Sequence, residues 1–100
     1  HALLHNYQNV YPDLCWLPLL STSAAIRMLH ELLEVGTSDK ICWGCDTHTW
    51  EESFGALLAV KHILAQVLSE RTTQGYMSSA DACFIVNNIL YRNAKELYKL

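Results

Sequence analysis

Lys40-Ile41-Cys42-Trp43-Gly44-Cys45-Asp46 is the stretch on which the fold turns. Ile41, Cys42 and Trp43 are apolar at successive positions, hence on both faces of an extended chain. That is the pattern of a strand in a parallel sheet covered on two sides. Upstream, Val10-Tyr11-Pro12-Asp13-Leu14-Cys15-Trp16 also reads as extended, rich in β-branched and aromatic residues, although Pro12 has no N–H to give a ladder. Leu17 to Ser21 reads as a loop. Between the two extended stretches a helix is expected from Ser23 or Ala24 to Val35, with Ile26, Leu29 and Leu33 on its apolar stripe and Gly36 as its cap. Two strands separated by such a helix imply a right-handed βαβ crossover and a parallel pair.

The rest of the chain reads as helical. His1 to Gln8 reads as the tail of a helix. A long helix is expected over Trp50 to Thr72, with Phe54, Leu57, Val60, Leu64 and Val67 facing the core. Ser78-Ser79-Ala80-Asp81 has the spacing of a capping box and opens another helix. Asn93 is expected to interrupt that helix and to cap a short last one ending at Leu100. No repeat, low-complexity stretch or linker divides residues 1–100, which read as one segment. Two strands do not make a sheet that stands alone, so the expectation is a slice of a larger α/β protein.

Composition bounds the function. Hydrophobic residues make up 51% of the 100 and charged residues only 17%, where soluble domains carry about 25% charged residues. So little charge is what a piece with covered faces would show. The net charge of -3 with no basic run argues against nucleic acid and anionic membranes as partners. No apolar run approaches the ~18 residues of a membrane span, and no positively charged leader precedes the first apolar residues. Cys15, Cys42, Cys45 and Cys83 each sit in apolar or amphipathic runs. They read as free thiols in a reducing, cytoplasmic setting rather than as two disulfides.

The chemistry is expected just after the second strand, because an ionisable group at the carboxyl end of a parallel strand points into the site. Asp46 stands there, followed by Thr47-His48-Thr49-Trp50-Glu51-Glu52. It reads either as a metal ligand or base toward a metal-bound water, or as the N-cap of the next loop or helix. His48 falls in the same loop, and Trp16 and Trp50 come after the two strands, where each either lines a pocket or packs as an anchor. Cys42-x-x-Cys45 is the spacing of a thiol redox pair or half a zinc clip. It lies inside the strand pattern, however, and Asp46 beside it would raise the thiol pKa. His1 and His5 share a helical face, while His30 and His62 read as partly exposed surface residues.

Asn9-Val10-Tyr11-x-Asp13-Leu14, Lys40-Ile41-x-Trp43-Gly44-x-Asp46 and Ile89-Leu90-x-x-Asn93-Ala94-x-x-Leu97-Tyr98 together resemble the carboxyl-terminal part of metal-dependent amidohydrolases of the TIM-barrel superfamily. The similarity is to the branch linked to glutamine-synthetase-like domains and related to uronate isomerases, and it spans nearly the whole chain. Cys45 stands where that pattern has serine or glycine, and Pro12 where it has an apolar strand residue. The resemblance implies strands 7 and 8 plus the C-terminal helices of a (β/α)8 barrel, that is, its last two βα units. It implies that Asp46 binds or faces a divalent metal ion, zinc or similar, and activates the attacking water, the remaining ligands lying outside this chain.

The expectation is therefore the terminal part of a cytoplasmic, metal-dependent hydrolase acting on an amide or ester-like bond of a small-molecule substrate. Trp16, His48 and Trp50 would lie near that substrate, and the 100 residues alone would be inactive. Open strand edges would favour a homo-oligomer. The competing readings are a non-catalytic α-rich interaction or self-association module and a thiol or zinc module on Cys42 and Cys45.

Overall fold

Six helical segments account for the architecture of the computed structural model, which describes residues 3, 6–35 and 38–99. They are α1 (Leu17–Leu20), α2 (Thr22–Val35), α3 (Trp50–Thr73), α4 (Ser79–Asn87), a π-helical segment (Asn88–Arg92) and α5 (Asn93–Tyr98). Of the expected helix over the first residues, Leu3 and Asn6 are helical and the Tyr7 N–H donates to Leu3 O at 3.0 Å; the Gly36 cap, the His1/His5 pair and the Leu100 terminus lie outside the described residues.

Local chemistry explains the helix starts. Pro18 sits in the first turn of α1, where its fixed φ is already helical and no intrahelical N–H is missed. Thr49 caps α3 by accepting from the Glu52 N–H at 3.2 Å. Glu51 and Glu52 lie in the first turn and Arg71 in the last, each charge on the favourable end of the helix dipole. Gly75, at φ 85°, turns the chain out of α3. The Ser78–Asp81 capping box forms as expected, Asp81 N donating to Ser78 Oγ at 3.1 Å and Ser78 N to Asp81 Oδ2 at 3.2 Å.

The core lies where α2 crosses α3. Leu29, Val60, Ile63 and Val67 are completely buried, joined by Ile41 and Ile89 from outside the crossing. Full burial of each such side chain contributes roughly 1.5–3 kcal/mol. On α2 the buried face is Ala25, Leu29 and Leu32, with Ile26 and Leu33 at its margins. On α3 it is Ala56, Val60, Ile63, Leu64, Val67 and Leu68. Phe54, expected in the core, is 60% exposed. It sits two residues from Ala56, about 200° round the helix at 3.6 residues per turn.

The expected α/β class, the last two βα units of a TIM barrel with strands 7 and 8, is corrected: among the described residues there is no strand, and the fold is all-helical. Of the two expected strands only one parallel bridge remains, Asp13 with Cys42. Cys42 N donates to Pro12 O at 2.8 Å and Leu14 N to Cys42 O at 3.1 Å. The pairing partners and their parallel direction agree with the sequence reading, but the ladder stops at once. Pro12 has no N–H to extend it. Asp13 Oδ1 accepts from Cys15 N at 2.7 Å and from Gly44 N at 3.3 Å, drawing both chains into turns. Cys15 (φ 38°) and Asp46 (φ 44°) then take left-handed backbone, which no strand can accommodate. The Leu17 to Ser21 stretch, expected as a loop, holds the helical turn α1.

At the other end the expected break at Asn93 is absent. α4, the π segment and α5 run on through right-handed backbone at Asn88 and Asn93. Asn93 is buried and caps nothing. Its amide donates to Ser38 O and Ile41 O, both at 2.7 Å, and so fastens the approach to the bridge onto the C-terminal helices.

Candidate functional site

The bridge sets the downstream ends of its two segments side by side, and both ends are strained. Non-glycine residues pay roughly 1 kcal/mol or more for left-handed backbone, and here Cys15 and Asp46 both adopt it. The indole Nε1 of Trp16 donates to the Asp46 carbonyl at 2.7 Å across 30 residues of sequence. Asp13 ties the same two turns from behind through Cys15 N and Gly44 N. Asp46 is thus held by its backbone while its side chain is exposed. Its carboxylate makes no hydrogen bond among the described residues, and the N-cap reading falls because Thr49 holds that place. What stands there is a solvated carboxylate on a fixed backbone.

Trp16 therefore meets Asp46 through a backbone oxygen. His48 and Trp50 are exposed. The His48 N–H donates to Glu52 Oε2 at 3.2 Å, and Trp50, at 78% exposure, opens α3 with its ring in solvent.

The two thiols of Cys42-x-x-Cys45 lie in opposite environments. Burial, and then the Asp13 charge, push the Cys42 thiol up. Cys45 Sγ lies 3.5 Å from Thr47 Oγ1 and 3.8 Å from Ser53 Oγ, and these hydroxyls, Thr47 foremost, hold its pKa below the ordinary thiol value. The Asp46 charge expected to raise the pair is not what governs either thiol. Ser53 was not singled out in the sequence, since a hydroxyl one turn into a helix is unremarkable there. All four cysteines are free.

His30 belongs to a polar network between α2 and α3 rather than to open surface. Its Nε2 lies 3.0 Å from Glu70 Oε2, and its Nδ1 accepts from Arg71 Nε at 3.0 Å. Arg71 also reaches Glu34 Oε1 at 2.8 Å.

The metal-binding character expected of the segment is not evident: among the described residues no group of three or more His, Cys, Asp and Glu could hold a metal ion. No helix among them is long and apolar enough to cross a membrane.

Comparison with known proteins finds a relative much longer than this chain. The chain is 31% identical over 96 residues, 94% of its length, to Protein fluG of Emericella nidulans. Those residues are 11% of that protein, so the chain spans about a tenth of the length of the relative it matches. No family model matches the chain, and no solved structure does.

Proposed function

We propose that this chain is the carboxyl-terminal part of a larger cytoplasmic hydrolase of the amidohydrolase type, to which it contributes Asp46 as the base toward water. The observation that carries the proposal is the unpartnered Asp46 carboxylate on a left-handed backbone pinned by Trp16. Strained backbone of this kind clusters at working sites, and a solvated carboxylate is able to take a proton from water. As Asp46 takes that proton, the water oxygen bonds to the carbonyl carbon of an amide or ester-like bond; the tetrahedral intermediate then breaks its bond to the leaving group, which receives the proton. Trp16 fixes the base, while His48 and Trp50 flank the approach of a small-molecule substrate. The match to a small part of a long protein supports a site completed elsewhere. The residues present do not fit a divalent metal by themselves, and no step here runs through one.

The test is Asp46→Asn in the intact protein that carries this segment. Loss of a general base lowers turnover by about 10²–10⁴-fold, with an unchanged melting curve. Near-normal turnover removes Asp46 from the reaction.

A further inference from the structure

Three of the chain's seven Lys and Arg residues stand together on the last helices, in a sequence whose net charge is -3. Arg92, Lys95 and Lys99, with Tyr91 and Glu96, line a cavity of about 480 Å³, a size usual for small-molecule sites. Its lining includes none of the residues around Asp46. Spacings of three and four residues set the cations on one face of a helix, and the fold holds that face in place. Asn93, two residues from both Tyr91 and Lys95 and so on the far side, is buried and bonded to Ser38 O and Ile41 O. Tyr91 and Arg92 lie in the π-helical segment, whose last turn closes by Asn93 N donating to Asn88 O. Such π turns inside α-helices occur frequently at functional sites. We propose that this cavity binds the phosphate group of a small soluble molecule, a phosphate monoester.

Charge selects that ligand. Among the described residues none of the three cations makes an ion pair. Lys95 Nζ lies 5.3 Å from the centre of the Tyr91 ring, a contact that orients an ammonium without neutralising it. Arg71, by contrast, is already engaged by Glu34 and His30. Three cations against the single carboxylate of Glu96 leave the cavity with a local charge of +2. A phosphate monoester brings about -1.5 to -2 at pH 7 and three strong acceptor oxygens. A carboxylate brings one charge and two oxygens. The Arg92 guanidinium can give two parallel N–H bonds to one phosphate, and the two ammonium groups add point charges beside it. A lipid surface is the poorer fit, because a chain that is negative as a whole is repelled by an anionic bilayer. A single dianion meets mainly the charges within a Debye length of it.

An NMR titration of the ¹⁵N-labelled chain with inorganic phosphate, above its second pKa of about 6, tests this against acetate at matched ionic strength. Phosphate should give saturable shifts confined to the amides of Tyr91 to Lys99, and acetate should bind several times more weakly. Arg92→Gln, Lys95→Gln and Lys99→Gln should each weaken phosphate binding about threefold or more, and the three together should abolish it. Glu96→Gln should tighten it. Lys61→Gln, an exposed cation outside the cavity, should leave it unchanged. All five positions are exposed, and circular dichroism checks that each variant keeps the fold. Shifts that do not saturate, acetate binding as tight as phosphate binding, or equal weakening by Lys61→Gln overturns the proposal. So does binding to phosphatidic acid vesicles without binding of free phosphate, which would make this face a membrane contact.

Discussion

The side-chain amide of Asn93 gives both its hydrogens to the chain leading into Cys42, one to Ser38 O and one to Ile41 O, each at 2.7 Å. One buried side chain on the C-terminal helices thus holds the segment that forms the parallel bridge and, beyond it, the Asp46 turn. Structure 52 residues away in sequence sets where the candidate base stands.

Asn93→Ala is expected to leave both carbonyls without that donor. An unsatisfied buried acceptor costs about 1–3 kcal/mol, so the variant should lose about 2–3 kcal/mol in urea unfolding. For a chain of this size that corresponds to a melting temperature lower by about 10–20 °C. Asn93→Asp should be worse than alanine, because it faces the same two carbonyls with a negative charge. A loss under about 0.5 kcal/mol for alanine would mean that the fork does not hold the loop.

Much of the helical half was legible because its signals are local. The Ser78–Asp81 box, the span of α3 and the core positions Leu29, Val60, Leu64 and Val67 are set by neighbours within one or two turns. The strands were not, since a pleat exists only through its partners. Asp13, which looks like an ordinary residue of an extended run, folds both segments into turns. Phe54 was expected inside from its helical spacing with Leu57, whereas small Ala56 lies on the face that packs. Asn93 carries a cap residue's chemistry but directs it to a distant loop. For the site, the sequence offers Asp46 from its place after an apolar run. The indole of Trp16 that pins it and the hydroxyls around Cys45 were not readable, since those contacts depend on the folded turns.

Glu70 gives the fold an acid-side sensitivity. Hydrogen bonds from the Gln66 amide first, and from His30 next, hold its carboxyl below the ordinary value. A carboxyl depressed in the folded state stabilises above its unfolded pKa, about 4.3. That contribution is lost as pH falls from there through the lower folded value. The urea midpoint should therefore fall between about pH 4.3 and more acid conditions, and Glu70→Gln should flatten that part of the profile. Identical acid profiles for the two proteins would show the contact to be without consequence.

Cys45 and Cys42 should separate by reactivity. The thiolate is the nucleophile, so Cys45 should be carbamidomethylated by iodoacetamide first and at a pH where ordinary thiols are slow. Cys42 should react only on unfolding. Peptide mass spectrometry over a time course reads both rates. Ser53→Ala should slow Cys45 and leave Cys42 unchanged, and equal rates for the two thiols would contradict the arrangement.

The left-handed backbone at Asp46 allows the role of its side chain to be separated from its role in folding. Asparagine tolerates φ near 44° about as well as aspartate, glycine does so without steric cost, and a β-branched residue does so badly. Thermal unfolding should therefore rank Asp46→Gly at or above the unaltered chain, Asp46→Asn close to it, and Asp46→Val below it by about 1–2 kcal/mol. If Asp46 served stability, its carboxylate would have a hydrogen-bond partner and removing it would cost something; the turn instead holds an aspartate where glycine would fit better. A side chain that the turn does not need is free for the role proposed for it. A glycine variant clearly less stable than the unaltered chain would reverse that conclusion, because it would make the carboxylate a structural group.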